Sequence, residues 1–347
     1  MKVSKIPGLG RFGVFIDDLD FTNLTDEEWH ELGQQHLNNL VTIIRNVKLT
    51  PAEYEKWATK WLTERNISSY RILKKYNAKS LEELFFSGDV SRLEQVDINW
   101  FKRILNLVPA KEAGMKTRML RVTGKKDKDG IPLGMFAEGE LLWHSNESGN
   151  LIHAPGVSLF GNTGVVGSAT GFVTTPDWYE EQTESFRSEL DEMIILHKFT
   201  PGRITPGLRE EQDDIMYRNM CPEPSEIPLV IQSPIGIKGL HYSVNTIDGI
   251  KGMTKEESDT VFAHIDKTLF VDKYVYDHWY QQDNDICFFD NSITLHRRLG
   301  GVENRLCYRI SGDYEKLTPK LLNPYFQEPF ISKYENNLNE LKEILRN

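Results

Sequence analysis

The sequence predicts a mainly β fold with flanking helices, and three observations carry that prediction. From Met119 onward, short apolar and β-branched runs (LRV, LLWH, GVSLFG, TGFVTT) are separated by glycine and turn residues. Two more such runs, ICFFD and RLCYRISG, end the β-rich part. Amphipathic patterns of helical period precede, interrupt and follow these strands.

Taken in order, Thr25 followed by Glu28 is a capping-box signature ahead of Trp29, Leu32 and Leu40, so a helix starts there. The β-branched run at 41–45 reads as a buried strand, and Thr50-Pro51 opens a second helix running through Trp61. Residues 62–117 mix charged and apolar side chains at helical spacing and read as a helical insertion. The pattern from Asp177 to His197 predicts one long helix, with His197 and Lys198 at its negative end. A loop at 201–226, rich in Pro, Gly and acid, has the length of a lid. PLVIQ and LHYSV read as strands around a turn at 234–239, and a helix should run from Thr254 to Leu269. The tail at 313–347 ends in the amphipathic stretch ENNLNELKEILR. All 347 residues fit one elaborated domain, 1–347.

Composition narrows the function classes. A chain that is 39% hydrophobic and 27% charged has ample material for a core. Its net charge of −10 opposes a phosphate backbone, and there is no long basic run, so nucleic acid is not an expected partner. Cys221, Cys287 and Cys307 are odd in number and widely spaced, which suits a reducing cytoplasm rather than a disulfide scaffold. The N-terminal residues lack the apolar core of a signal peptide, and no run of apolar residues is long enough to span a membrane. The expectation is a soluble cytoplasmic protein acting on a small molecule, with homo-oligomers left open.

One constellation carries chemistry. Non-haem iron sites hold Fe(II) on one octahedral face with two His and one carboxylate. Trp143-His144-Ser145-Asn146 ends an apolar strand, and strand positions i and i+2 project from the same face. His296, in FFDNSITLHRR, follows another apolar strand 152 residues later. The third ligand position holds an amide, Asn146, and the nearest carboxylate is Glu147. Thr170, in GSATGFVTT, follows His144 by 26 residues, and Arg305 and Arg309 lie beyond His296.

In order and spacing these residues resemble the taurine dioxygenase (TauD/TfdA-like) family, where a Trp-His-x-Asp motif precedes a Thr, a distal His and an Arg-x3-Arg pair. NLTDEEWHELGQQHLNNLVTIIRNVKLTPAEY and IPLVIQSPIGIKGLHYSVN also resemble that family, so the likeness covers most of residues 13–312. The resemblance implies a double-stranded β-helix (jelly roll) core and an oxygenase that uses Fe(II), 2-oxoglutarate and O2. It makes His144 and His296 catalytic iron ligands, with Asn146 in the third metal position or Glu147 in its stead. It makes Thr170 and Arg305 the clamp for the distal carboxylate of 2-oxoglutarate. A planar guanidinium and a hydroxyl suit that carboxylate on general grounds as well. Arg309 resembles the arginine that holds an anionic substrate group, and Arg121 hints in the same direction. The implied reaction is hydroxylation of an unactivated C–H bond with release of succinate and CO2. The amide at 146 leaves two alternatives: a halogenase-like enzyme whose third ligand site is open, or a non-catalytic ligand-binding relative.

Other signals have structural readings. Gly8, Gly10 and Gly13 spell a dinucleotide fingerprint, but no βαβ unit encloses them. His264 and Asp266 fall in a helical pattern where i and i+2 diverge too far to chelate one ion. His153, His197, His241 and His278 have no partners visible in sequence and default to structural roles.

Overall fold

The computed structural model describes residues 1–64, 75–79, 83–87, 90–95, 97–98, 101, 117–128, 130, 133–134, 139–148, 153–198, 225–301 and 303–318. β1 (Lys2–Lys5) and β2 (Val14–Asp17) lead to α1 (Asp26–Asn39), β3 (Val41–Ile44) and α2 (Pro51–Trp61). Next come β4 (Leu120–Thr123), β5 (Leu141–His144), β6 (Gly156–Thr163) and β7 (Ser168–Thr174). They are followed by α3 (Pro176–Glu180), α4 (Glu184–Glu192), β8 (Ile194–His197), β9 (Ser225–Pro228), β10 (Val230–Gln232), β11 (Lys238–Leu240) and β12 (Ile247–Ile250). α5 (Lys255–Leu269), β13 (Val275–Trp279), β14 (Asp285–Asp290), β15 (Thr294–Gly300) and β16 (Leu306–Gly312) complete the described chain.

Two sheets dominate. The larger has the order β1-β2-β3-β14-β6-β16-β4, and the smaller β13-β7-β15-β5. Consecutive strands alternate between them: β5, β7, β13 and β15 lie in the smaller sheet, while β6, β14 and β16 lie in the larger. Period-two alternation then sorts side chains between a layer facing the other sheet and a layer facing the helices. Val157, Leu159, Cys287 and Phe289 join Phe172 of the smaller sheet in one buried cluster, with Phe172 and Phe289 ring centroids 5.3 Å apart. Their strand neighbours Phe160, Phe288 and Tyr308 turn the other way, toward α1 and α2.

Those two helices start where the sequence predicts. Thr25 with Glu28 and Thr50 with Glu53 each form a reciprocal capping box. Stacked Trp29 and Trp61 rings, 4.1 Å apart, join the helices. Both indole N–H donors are satisfied, Trp29 by the carbonyl of Trp57 at 3.0 Å and Trp61 by that of Trp29 at 2.8 Å.

Several expectations need correction. The span from Asp177 to His197 is not one helix. Thr183 caps a second helix through Phe186 N, and the β-branched Ile194-Ile195 run leaves α4 to become β8. His197 is therefore a strand residue, 1% exposed, and not part of a helix terminus. The expected lid at 201–226 overlaps β9, whose Ser225 and Glu226 pair with β8; residues 199–224 lie outside the described residues. Of LHYSV only Leu240 is in a strand, because Val244 instead donates to the carbonyl of Trp143. From the expected insertion at 62–117, the structure describes a π turn at Glu83–Ser87 and a 3-10 turn at Val90–Arg92. Most of that segment, Cys221 and the tail beyond Thr318 fall outside the described residues. Among the described residues, no helix is long and apolar enough to cross a membrane.

Asp290, at the end of β14, is buried and accepts the N–H groups of Ser292 and Ile293 at 2.8 and 3.0 Å. Burial pushes its carboxyl up to about 7. A folded-state value above the unfolded one means the native state holds a proton that the unfolded state has released, so this group weakens the fold as pH rises from about 4 to about 7. Asp290→Asn keeps an acceptor and removes the charge. Melting curves at about pH 5 and about pH 8 should show a smaller loss of Tm in the variant than in the wild type; equal losses would refute this account of Asp290.

Candidate active site

The site is built on β15, which lies between β7 and β5. His296 of β15 stands directly opposite His144 of β5, and the imidazole centroids are 4.1 Å apart. The His144 Nδ1 lies 2.7 Å from the carbonyl oxygen of Leu142. A carbonyl can only accept, so Nδ1 carries the proton and Nε2 keeps its lone pair. His296 Nδ1 is buried without a hydrogen-bond partner. Burial pushes His144 down to about 4, and nearby Arg298 and Arg309 push the same way. His296 is held well below its ordinary value, again chiefly by burial. Both imidazoles are thus neutral donors near pH 7, the state that a metal requires.

The third position is unlike an ordinary ligand triad. The turn at 146–148 follows β5, and the side chain of buried Asn291 brackets it. Asn291 Oδ1 accepts the Asn146 N–H at 2.8 Å, while its Nδ2 donates to the carbonyls of Asn146 and Ala154 at 3.0 and 2.9 Å. The Asn146 Oδ1 accepts from Arg309 Nη1 at 3.2 Å, which leaves Asn146 Nδ2 and Arg309 Nε buried without partners. Glu147 adopts a φ of 63° and is exposed, and its carboxylate accepts the Ala154 N–H at 3.1 Å. The geometry engages Glu147 there and not at the histidine pair. Among the described residues no group of three or more His, Cys, Asp or Glu could hold a metal ion. Fe(II) would meet the lone pair of His144 Nε2 and the unpartnered Nδ1 of His296, and among the described residues no carboxylate as third partner.

Deeper between the sheets lies Arg305, 2% exposed. Its Nη2 donates to Thr170 Oγ1 at 3.1 Å, its Nη1 to the Ala169 carbonyl at 3.4 Å, and its Nε to Cys307 Sγ at 3.0 Å. The Tyr280 hydroxyl lies 3.0 Å from that of Thr170, and the guanidinium sits 5.5 Å from the Tyr280 ring centroid. Among the described residues no carboxylate pairs with Arg305. Arg298, 4% exposed and opposite Thr170 in the register, donates to the Gly139 carbonyl through Nε and Nη2.

The structure thus brings together His144, His296, Asn146 and Arg309, with Arg305 and Thr170 joined nearby. It separates Arg121, which pairs with Tyr308 on the helix-facing side of the larger sheet, whereas Arg309 pairs with Leu159 on the inner side. His264 and Asp266 lie on α5, where Asp266 accepts from Tyr242 at 2.8 Å. The sequence reading missed Asn291, Tyr280 and Arg298. A polar residue directly after the apolar run ICFFD was the available signal for Asn291; for the other two, only the fold shows the contact.

Solved structures share this fold at low identity. AAD-2, solved with Mn(II) and N-oxalylglycine, matches with a TM-score of 0.61 and 18% identity, over 90% of this chain and 98% of that one. A taurine dioxygenase from Burkholderia xenovorans matches with a TM-score of 0.58 and 17% identity, over 90% of each chain. No curated protein sequence matches the chain. The family model described as taurine catabolism dioxygenase TauD, TfdA family matches residues 3–310, from β1 into β16 and across the whole site, and the chain belongs to that family.

Proposed function

We propose that this chain is an iron(II)- and 2-oxoglutarate-dependent dioxygenase that hydroxylates an unactivated C–H bond of a small anionic substrate, releasing succinate and CO2. Its scaffold is then a double-stranded β-helix, in keeping with strands that alternate between two sheets. The observation that carries this reading is Arg305: a guanidinium 2% exposed, with spare donors and no carboxylate partner among the described residues. A buried charge without a counter-ion is costly, so the site is complementary to a carboxylate brought from outside. Thr170, tied to Tyr280, adds a hydroxyl beside it.

In this reading His144 and His296 hold the metal, and Arg305 with Thr170 orients the distal carboxylate of 2-oxoglutarate. When bound, iron and 2-oxoglutarate supply the oxygen-dependent oxidation of the substrate. The protein's own work is placement and exclusion of water: Asn291 fixes the turn carrying Asn146, and Phe289 packs 4.7 Å from the His296 ring. Arg309, with a buried and unpartnered Nε, offers a donor to a substrate anion.

One observation favours a second reading. With its Oδ1 engaged by Arg309, Asn146 presents an amide N–H, which cannot ligate a metal, so the third position is open to a halide, as in a halogenase-like enzyme.

Anaerobic titration with Fe(II) and 2-oxoglutarate should give the weak visible charge-transfer band of the chelate, abolished in His144→Ala. In Arg305→Ala the dissociation constant for 2-oxoglutarate should rise by at least about thirtyfold, the effect of truncating one partner of a buried charge pair. Absence of the band in the native protein, with a clear band in Asn146→Asp, would convert the assignment to a non-catalytic binding relative. In a working enzyme Asn146→Asp should tighten Fe(II) binding on the order of tenfold, read by competition with a chelator.

A further inference from the structure

Three more histidines converge in a second buried cluster. His153, His197 and His241 are 3%, 1% and 0% exposed. The His153 and His241 rings stack with centroids 4.5 Å apart, and His197 lies 6.0 Å from His241. Hydroxyls knit them together. His197 Nδ1 lies 2.9 Å from Thr246 Oγ1, which lies 3.0 Å from Ser148 Oγ, and His153 Nε2 lies 3.2 Å from Ser292 Oγ. His241 Nδ1 donates to the Ser292 carbonyl at 2.9 Å, so its Nε2 carries a lone pair. That nitrogen and His197 Nε2 are both buried without a hydrogen-bond partner among the described residues. Two unsatisfied imidazole nitrogens in one cluster call for an occupant, since buried polar atoms are almost always paired with protein, water or ligand.

Charge decides what class of occupant fits. Among the described residues, His197 and His241 contact histidine rings, a hydroxyl and backbone, with no carboxylate, Lys or Arg. Burial pushes His241 down to about 4 and holds His197 well below its ordinary value, so both rings are neutral. Among the described residues these rings form no group that could hold a metal ion, and an anion would meet a lone pair and no cation. A neutral hydrogen-bond donor satisfies a lone pair without either penalty. The cluster also adjoins the active site: Ser148 lies in the Asn146 turn, and Ser292 follows the Asn291 that brackets that turn.

We propose that His241 Nε2, with His197 beside it, forms an uncharged recognition subsite that accepts a hydrogen bond from a hydroxyl or amide N–H of the substrate, at a distance from Arg309. Calling the occupant a substrate rests on the dioxygenase reading; the preference for a neutral donor does not. The substrate class is then a short carboxylate or similar anion that also bears a hydroxyl or amide.

The test uses the full chain and matched pairs of short-chain carboxylates with and without a terminal hydroxyl, read by thermal shift and by isothermal titration. The hydroxylated member of at least one pair should bind at least about tenfold more tightly, about 1.4 kcal/mol. His241→Phe should abolish that preference and His241→Gln, which retains an acceptor, should restore part of it; His197→Phe gives the same reading if His241→Phe does not fold. Equal binding across all pairs, as expected if a resident water alone fills the cluster, would overturn the proposal. So would a preference that survives both Phe variants, or displacement of the preference by Zn(II) bound at the three histidines. A hydroxyl preference in a protein without the 2-oxoglutarate charge-transfer band would leave the subsite standing and remove the dioxygenase reading alone.

Discussion

The register of β15 is the constraint on which the site depends. Its pairing with β5 sets His296 opposite His144, and its pairing with β7 sets Arg298 opposite Thr170. Because side chains alternate with a period of two, a slip of one residue would turn His296 away from its partner and bring Leu295 in its place. Leu295 and Val173 are instead buried on the opposite face, against Trp143 and the α5 cluster. The hydrophobic layer behind the smaller sheet therefore specifies the register that assembles the histidine pair, and packing remote from the chemistry fixes its geometry. The register shift between His296 and Arg298 puts its extra residue on β5, so Arg298 keeps its place opposite Thr170.

Charge is the second organising term. The inner space holds Arg298, Arg305 and Arg309, together with two neutral imidazoles and an amide where a carboxylate would stand. Against a chain of net charge −10, this is a local inversion of sign. Arg305 and Arg309, which pair with no carboxylate among the described residues, give this region an attraction for anions. Arg305 shows this most clearly, because Cys307 Sγ, Thr170 and the Ala169 carbonyl fix the guanidinium and no carboxylate among the described residues pairs with it.

The legible part of the site was the part carried by side-chain type and spacing. His144, Thr170, His296 and Arg305 stand at motif positions, and the structure brings all four between the sheets; the capping boxes at Thr25 and Thr50 likewise mark helix starts that the backbone adopts. What escaped was set by contacts that no local pattern encodes. The run from Asp177 to His197 has helical periodicity, yet Ile194 and Ile195 are drawn into β8 by pairing with β12 and β9. Arg121 and Arg309 look equivalent in sequence, and only the inner or outer face of their strands separates them. Glu147 looked available to a metal, but its positive φ turns its carboxylate to the Ala154 N–H.

Asn146 joins these themes. An aspartate at that position would face Arg309 as an ion pair, and a metal would have to share the carboxylate with a guanidinium. With an amide the competition is weaker: the Arg309–Asn146 contact is a single 3.2 Å hydrogen bond from a cation to a neutral oxygen. An anion reaching the unpartnered Nε of Arg309 offers a stronger, charge-assisted partner and would draw the guanidinium from the amide. Asn146 Oδ1 would then be released while Asn291 still holds its backbone in place. In the proposed dioxygenase, the amide would link occupation of Arg309 by an anion to the availability of an oxygen beside the histidine pair.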